Sequence, residues 1–68
     1  MKTYTLNFTS SRGSVTRKIK GEFKSLPKAI DYARHIITAM LFYMAEGETL
    51  TYTIHSGDEP IWEESCTK

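Results

Sequence analysis

A chain of 68 residues is too short for two domains, so we expect residues 1–68 to form a single domain around one small core. Its only cysteine, Cys66, excludes an internal disulfide and favours a reducing compartment, and we therefore expect a cytoplasmic protein. The formal net charge at pH 7 is only +1, yet positive charges dominate residues 1–34 and negative charges dominate residues 35–68.

The N-terminal third of the chain predicts a β-hairpin. Polar and apolar residues alternate strictly over residues 3–9, which is the two-residue period of a half-buried strand. A turn around Gly13, a residue suited to a positive φ, leads into a second alternating segment. The apolar side of this second segment contains Val15, Ile19 and Phe23. Gly21 interrupts that side, which predicts a bulge or a close approach of a helix backbone.

Residues 26–44 have the pattern of an amphipathic helix. Ser25 suits the N-cap, Pro27 is tolerated in the first turn, and Gly47 follows the expected end. At about 100° per residue the apolar positions fall on one stripe, which must cover a sheet. That stripe consists of Leu26, Ala29, Ile30, Ala33, Ile37, Met40, Leu41 and Met44. The most apolar run, residues 36–45, is about half as long as a membrane span requires, so we expect no interaction with a membrane.

The C-terminal third predicts a second hairpin. Residues 49–55 alternate again, with an apolar inward side. That side consists of Leu50, Tyr52 and Ile54. A turn containing Pro60 precedes a short last strand at residues 61–65, and the proline marks it as an edge strand. Placing Trp62 and Cys66 on the inward side of this strand buries more apolar surface than the opposite arrangement.

These elements predict an α+β fold with the order β-β-α-β-β, in which one helix packs on one face of a four-stranded antiparallel sheet. A lone helix covers only one face, so the other face meets water or a partner. We expect that open face to consist of Thr3, Thr5, Asn7, Thr9, Thr16, Lys18, Lys20, Thr49, Thr51 and Thr53. Threonine is common in strands, so a merely solvated sheet surface also explains this row.

Five basic residues on and around the first hairpin form a candidate surface for nucleic acid or for an acidic protein. They are Arg12, Arg17, Lys18, Lys20 and Lys24. The near-neutral net charge and the absence of outward aromatic residues for base stacking weaken the nucleic-acid alternative. The same charges could instead complement the chain's own acidic hairpin through cross-strand pairs.

Four acidic residues around the last turn and strand are candidates for binding a protein partner. They are Asp58, Glu59, Glu63 and Glu64. Carboxylates in this number can occupy a basic groove on a partner. The alternative is that they protect an edge strand from unwanted pairing.

An aromatic side of the helix, formed by Tyr32, Phe42 and Tyr43, is the third candidate surface. Phe42 lies about 160° from the centre of the apolar stripe. If the helix continues to residue 44, Phe42 is exposed and can anchor an interface. If the helix frays near Leu41, Phe42 can instead return to the core.

The sequence contains no convincing catalytic or metal-binding constellation. Neither His35 nor His55 has a Cys, Asp or Glu partner at the spacing of a metal site. Asp31 and His35 share a helix face, but no nucleophile completes a triad with them. We therefore expect a non-enzymatic protein without a metal or a cofactor.

In general form the chain resembles the small inhibitor proteins encoded by phages and mobile elements, such as anti-CRISPR proteins. The resemblance is carried by the length, by two strands followed by the helix entry at Ser25, Leu26 and Pro27, and by the lack of catalytic residues. It covers the whole chain without a shared motif, so it assigns a role to no single residue. It implies that a large host complex is the partner.

The leading hypothesis is therefore a non-enzymatic interaction protein that inhibits a nucleic-acid-handling host complex through charged and aromatic surface residues. One alternative is a nucleic-acid-binding module that uses the basic first hairpin. Another is a homodimer built by apolar helix surfaces.

Overall fold

A computed structural model describes residues 1–13 and 16–68 of the chain, so Val15 lies outside the described residues. The described part contains four strands, one α-helix and a short 3₁₀ helix. These are β1 (Lys2–Ser10), β2 (Thr16–Phe23), α1 (Leu26–Met40), the 3₁₀ helix (Leu41–Tyr43), β3 (Thr49–Ser56) and β4 (Glu59–Thr67). The expected α+β fold and the β-β-α-β-β order are confirmed.

The four strands form one antiparallel sheet in the order β2-β1-β3-β4. The helix α1 therefore connects an edge strand, β2, to β3 on the far side of β1. The basic strand β2 and the acidic strand β4 lie at opposite edges, three strand spacings or about 14 Å apart. This order excludes cross-strand charge pairing between β2 and β4. The edge position predicted for the strand with Pro60 is confirmed.

The core lies between α1 and the two central strands. The inward residues of β1 and β3 are buried, and the rings of Phe8 and Tyr52 stack with centroids 5.8 Å apart. From the helix, Ala29, Ile30, Ala33, Ile37 and Met40 are buried. These are positions of the predicted stripe, so the helical period identified the packed face correctly. The residues that contact the core from its margin include Ile19, Phe23, Leu26, Leu41 and Cys66.

The predicted end of the helix at residue 44 is wrong. The α-helix ends at Met40, and the chain continues as the 3₁₀ helix Leu41–Tyr43. The backbone N–H of Met44 donates to the carbonyl oxygen of Leu41 at 3.3 Å, which is the shorter-range bonding that tightens a last helical turn. Met44 then takes an extended conformation, and Gly47, at φ 83°, lies in the loop that returns to β3.

The second hairpin is longer than predicted. Its turn has two residues, Gly57 and Asp58, where Gly57 has the positive φ of 63° that a tight hairpin requires. As a result β4 begins at Glu59 and not at residue 61. A bulge lies between β3 and β4, since Ile54 pairs with Trp62 and the next residue pairs with Pro60.

The bulge predicted at Gly21 is not at that position. Gly21 pairs in register with Tyr4, and a Cβ atom added to Gly21 would come within 3.4 Å of the Phe23 ring. A contact of this length is ordinary van der Waals packing, and no atom of the described helix lies within 4 Å of the added Cβ, so the expected close approach of a helix backbone is also wrong. Within residues 1–13 and 16–68, no helix is both long and apolar enough to cross a membrane.

Candidate interaction surfaces

Among the described residues, the most exposed large apolar side chains after Met1 are those of Phe42 and Tyr43, which we call the aromatic turn. Their exposed fractions are 82% and 81%. The flanking residues Met40 and Met44 are buried, and Leu41 packs against the core. The backbone of the aromatic turn is therefore fixed from both sides while its two rings point into solvent.

Lys68, the residue that follows β4, holds the exit of the aromatic turn in place. The Lys68 ammonium group donates to the carbonyl oxygen of Met44 at 2.8 Å. The Lys68 N–H donates to the Glu48 carbonyl at 3.0 Å, and the Lys68 carbonyl accepts from the Gly47 N–H at 3.1 Å. The Glu48 carboxylate accepts a further bond from the Ala45 N–H at 3.0 Å. These bonds fix the loop that follows the two rings.

Tyr32 belongs to a different part of the surface. Its ring packs against Phe23 with centroids 5.4 Å apart, and Phe23 in turn contacts Tyr4 at 6.2 Å. Tyr32 also precedes Phe42 by ten residues, about 15 Å along a helix. Phe42 and Tyr43 therefore form one exposed pair, and Tyr32 lies apart from them against Phe23.

The five basic residues of the first hairpin do not share one face. Lys18 and Lys20 are paired with Asn7 and Thr5 on the open face of the sheet. Arg17 is paired with the buried Phe8, which places it on the helix side. The other two, Arg12 in the turn and Lys24 beyond β2, lie at the ends of the hairpin.

The acidic set is divided in the same way. Glu63 pairs with Thr53 on the open face, and Asp58 lies in the hairpin turn. Glu64 pairs with the buried Tyr52, so its carboxylate lies on the helix side of β4. Glu59 begins the strand and is exposed.

Glu64 is the centre of a hydrogen-bonded cluster, the Arg34–Glu64 network. The guanidinium of Arg34 donates to both carboxylate oxygens, from Nε at 3.2 Å and from Nη2 at 3.0 Å. The hydroxyl of Tyr52 donates to Oε1 of Glu64 at 2.8 Å. The indole N–H of Trp62 donates to the Tyr52 hydroxyl at 3.2 Å. The side chains of Arg34 and Glu64 are 57% and 36% exposed, so the network lies at the boundary of core and solvent.

The network changes the acidity of its members. The hydrogen bonds from Arg34, and then from Tyr52, lower the pKa of the Glu64 carboxyl. Burial, and then the bond to Glu64, raises the pKa of the Tyr52 phenol. The hydrogen bond to Glu64 raises the pKa of Arg34 further above its ordinary value. The Arg34–Glu64 pair is therefore held in the ionised state at neutral pH, while Tyr52 keeps the hydroxyl proton that it donates to Glu64.

Sequence reasoning did not identify the Arg34–Glu64 network, although one signal for it was present. If Trp62 and Cys66 face the helix, the two-residue period places Glu64 between them on the same side. A carboxylate in a partly covered position needs a cation or a donor. Trp62 does lie on the helix side, but 37% of its surface stays exposed because it belongs to an edge strand.

The open face of the sheet contains a trough of about 750 Å³. Its lining, which we call the polar trough, consists of Thr3, Thr5, Asn7, Lys18, Lys20, His55, Gly57 and Asp58. The side-chain amide nitrogen of Asn7 lies 3.3 Å from Nδ1 of His55. Because an amide NH₂ can only donate, Nδ1 of a neutral His55 accepts and its proton is carried on Nε2. His55 is thus one of the hydrogen-bonding side chains of this trough.

The described part of the chain contains no group of three or more His, Cys, Asp or Glu side chains that could hold a metal ion. His35 lies on the exposed face of α1, where Nδ1 is 3.1 Å from the carbonyl oxygen of Asp31. His35 therefore contacts the backbone carbonyl of Asp31 and not its side-chain carboxylate. The pair is therefore part of the helix surface.

Comparison with protein-family models, with curated proteins and with solved structures finds no match to this chain. The geometry of the aromatic turn, the charged edges and the polar trough is therefore what supports a function.

Proposed function

We propose that the chain is a non-enzymatic, cytoplasmic protein-binding module whose aromatic turn anchors it to a larger partner. The observation that carries this proposal is the exposure of Phe42 and Tyr43, each above 80%, on a backbone fixed by buried neighbours. Large aromatic side chains are enriched among the residues that dominate binding energy at interfaces. A fixed backbone also reduces the entropy lost on binding.

The two rings contribute little to the fold, so folding alone does not explain them. A side chain that remains about four-fifths in water gains only a small part of the burial energy of an aromatic residue. On binding, each ring can bury an area on the order of 150 Å² in a partner's apolar pocket. This difference is what distinguishes an interface anchor from a core residue.

The partner proposed is a nucleic-acid-handling host complex, which the chain inhibits in the manner of phage-encoded anti-CRISPR proteins. Support comes from the small α+β form of the chain and from the separation of charge in the sheet. The exposed carboxylates Glu59 and Glu63 on one edge can meet a basic groove of such a complex. The basic edge strand, about 14 Å away, stays clear of that groove.

Site-specific photo-crosslinking tests the protein-binding role. Benzoylphenylalanine replaces Phe42 of the 3₁₀ helix in one variant and the exposed His35 of α1 in a control. After irradiation in a lysate of the host cells, we expect a discrete protein adduct from position 42 that the control at position 35 does not give. Equal adduct patterns from the two positions, or none from position 42, would contradict the proposal.

Direct binding of nucleic acid is the alternative supported by Lys18 and Lys20, which share the open face of β2. Because only these two of the five basic residues lie on that face, binding there predicts a logarithmic salt slope of about 2, compared with more than 4 for all five. No binding to DNA or RNA at low salt would exclude this alternative.

A homodimer through the aromatic turn is the other alternative. It predicts that Phe42→Ala converts a dimer into a monomer in a light-scattering measurement. A wild-type mass equal to one chain would exclude it.

A further inference from the structure

The polar trough places convergent hydrogen-bond donors on a concave part of the open face. Cross-strand pairing arranges them in two adjacent rows, Lys20–Thr5–His55 and Lys18–Asn7–Thr53. Neighbouring side chains in such a row have Cβ atoms about 5 Å apart. Lys18 and Lys20 are two residues apart in one strand, or about 7 Å, so their flexible ammonium groups can approach one anion together.

Neither lysine is used by the fold. Across residues 1–13 and 16–68, the ion pair within 4.0 Å joins Arg34 to Glu64 on the other side of the sheet. Lys18 and Lys20 are both exposed beside uncharged Asn7 and Thr5, and Glu22, the next residue of β2 on this face, does not form an ion pair with Lys20. Their positive charge is therefore available to a ligand in the trough.

The hydrogen bond between Asn7 and His55 gives the trough a third oriented donor. With Nδ1 of His55 accepting from Asn7 at 3.3 Å, Nε2 carries the proton of the neutral ring. The ring thus offers an N–H group while it is held by its neighbour. Two ammonium groups and an oriented imidazole N–H are the donor set that a phosphate group needs.

The other parts of the trough favour a compact ligand over a polymer. A volume of about 750 Å³ is far larger than a phosphate ion and lies within the usual range of small-molecule sites. The carboxylate of Asp58 at the turn can accept hydrogen bonds from hydroxyl groups, but it would repel a second phosphate. Among the described residues that line the trough, none is Phe, Tyr or Trp, and the single imidazole of His55 can stack at most one base, so a run of successive bases has no stacking platform there.

We propose that the polar trough binds a compact phosphate monoester that carries hydroxyl groups, with the phosphate at Lys18, Lys20 and His55 and the hydroxyl groups towards Asp58. This site is on the opposite side of the sheet from the helix. It is independent of the protein-binding role of the aromatic turn.

Titration of the ¹⁵N-labelled protein with ribose 5-phosphate tests the site, with ribose and inorganic phosphate as comparison ligands. We expect saturable shifts of the backbone amides of Thr5, Asn7, Lys20 and His55, no shifts with ribose, and weaker binding of inorganic phosphate. The absence of saturation at a concentration of about 10 mM would overturn the proposal. So would equal affinity for inorganic phosphate, which would indicate a simple anion site.

Two variants that each remove one positive charge from β2 supply the matched control. Lys20→Gln removes it from the open face, and we expect binding to weaken about ten-fold or more. Arg17→Gln removes it from the helix side of the same strand, and we expect unchanged affinity. An equal loss in both variants would show that only the net charge matters, and would overturn the site.

A single-stranded oligonucleotide is the last ligand to test. We expect it to bind no more tightly than ribose 5-phosphate. Much tighter binding, with shifts that extend to Arg12 and Lys24, would assign the surface to nucleic acid and overturn the proposal.

Discussion

The Tyr52 hydroxyl joins the core to the Arg34–Glu64 network, and Tyr52→Phe removes it without changing the shape of the ring. The substitution deletes two hydrogen bonds, the one donated to Glu64 at 2.8 Å and the one accepted from Trp62 at 3.2 Å. A net hydrogen bond contributes about 0.5–1.5 kcal/mol to stability. Glu64 and Trp62 are partly exposed, so water can satisfy the groups that Tyr52 leaves. We therefore expect Tyr52→Phe to lower the free energy of unfolding by about 1–2 kcal/mol.

Urea denaturation followed by fluorescence of Trp62, the only tryptophan, measures this change. With a slope of about 1 kcal/mol/M for a small domain, the midpoint should fall by about 1–2 M at unchanged slope. Tyr43→Phe is the matched control, because that hydroxyl belongs to a ring that is 81% exposed, and its midpoint should not move. Equal midpoints for Tyr52→Phe and the wild type would refute the assigned role of the network. A loss above about 4 kcal/mol would show instead that the core itself is disturbed.

Three further outcomes follow from the structure. Because the pKa of Glu64 is lowered in the folded state, its contribution to stability is present above the ordinary carboxyl pKa of 4.5 and is lost as the pH falls through the lower pKa of the folded state. The stability difference between the wild type and Glu64→Gln should therefore shrink in acid unfolding curves, and a difference that stays constant in acid would contradict this role of Glu64. Gly57→Ala should lower the free energy of unfolding by about 1–2 kcal/mol in the same urea assay, because φ at this position is 63° and an alanine is strained there even though the space around the added Cβ is open. An unchanged midpoint would contradict the tight-turn geometry. Lys68→Met removes the hydrogen bond to the Met44 carbonyl. We expect faster amide hydrogen exchange in the loop that follows the aromatic turn, while β1 stays protected. Equal exchange rates in that loop in the variant and the wild type would exclude the role assigned to Lys68.

The sequence predicts those parts of the fold in which buried and exposed residues repeat with the short period of a strand or a helix. Residues Tyr4, Leu6 and Phe8 alternate with polar neighbours, and all three are buried. The stripe of α1 follows the helical period in the same way. Both patterns depend only on which side of a local element faces the core, so the sequence contains them directly.

The end of the helix could not be predicted in this way. The stripe continues in sequence through Leu41 and Met44, and these residues do contact the core. They reach it through a 3₁₀ turn, however, because the chain must reverse towards β3. A continuous helix predicts that Phe42 is exposed, and Phe42 is also exposed in the 3₁₀ helix that replaces it.

The candidate sites depend on strand order, which periodicity does not encode. Arg34 and Glu64 are 30 residues apart and meet only because β4 lies beside β3 and the Glu64 side chain is on the helix side of the sheet. The polar trough requires β1 between β2 and β3, so that Lys20, Thr5 and His55 form one row. The sequence identified the polar face of each strand but not which faces become neighbours.

The most direct test of the central claim is the affinity of Phe42→Ala for the protein that crosslinks at position 42. The exposed ring is an interface anchor in this account, so the dissociation constant should rise by about thirty-fold, equivalent to about 2 kcal/mol, while the melting temperature stays at the wild-type value. An unchanged dissociation constant, in a variant that melts as the wild type does, would contradict the claim that the aromatic turn binds a partner.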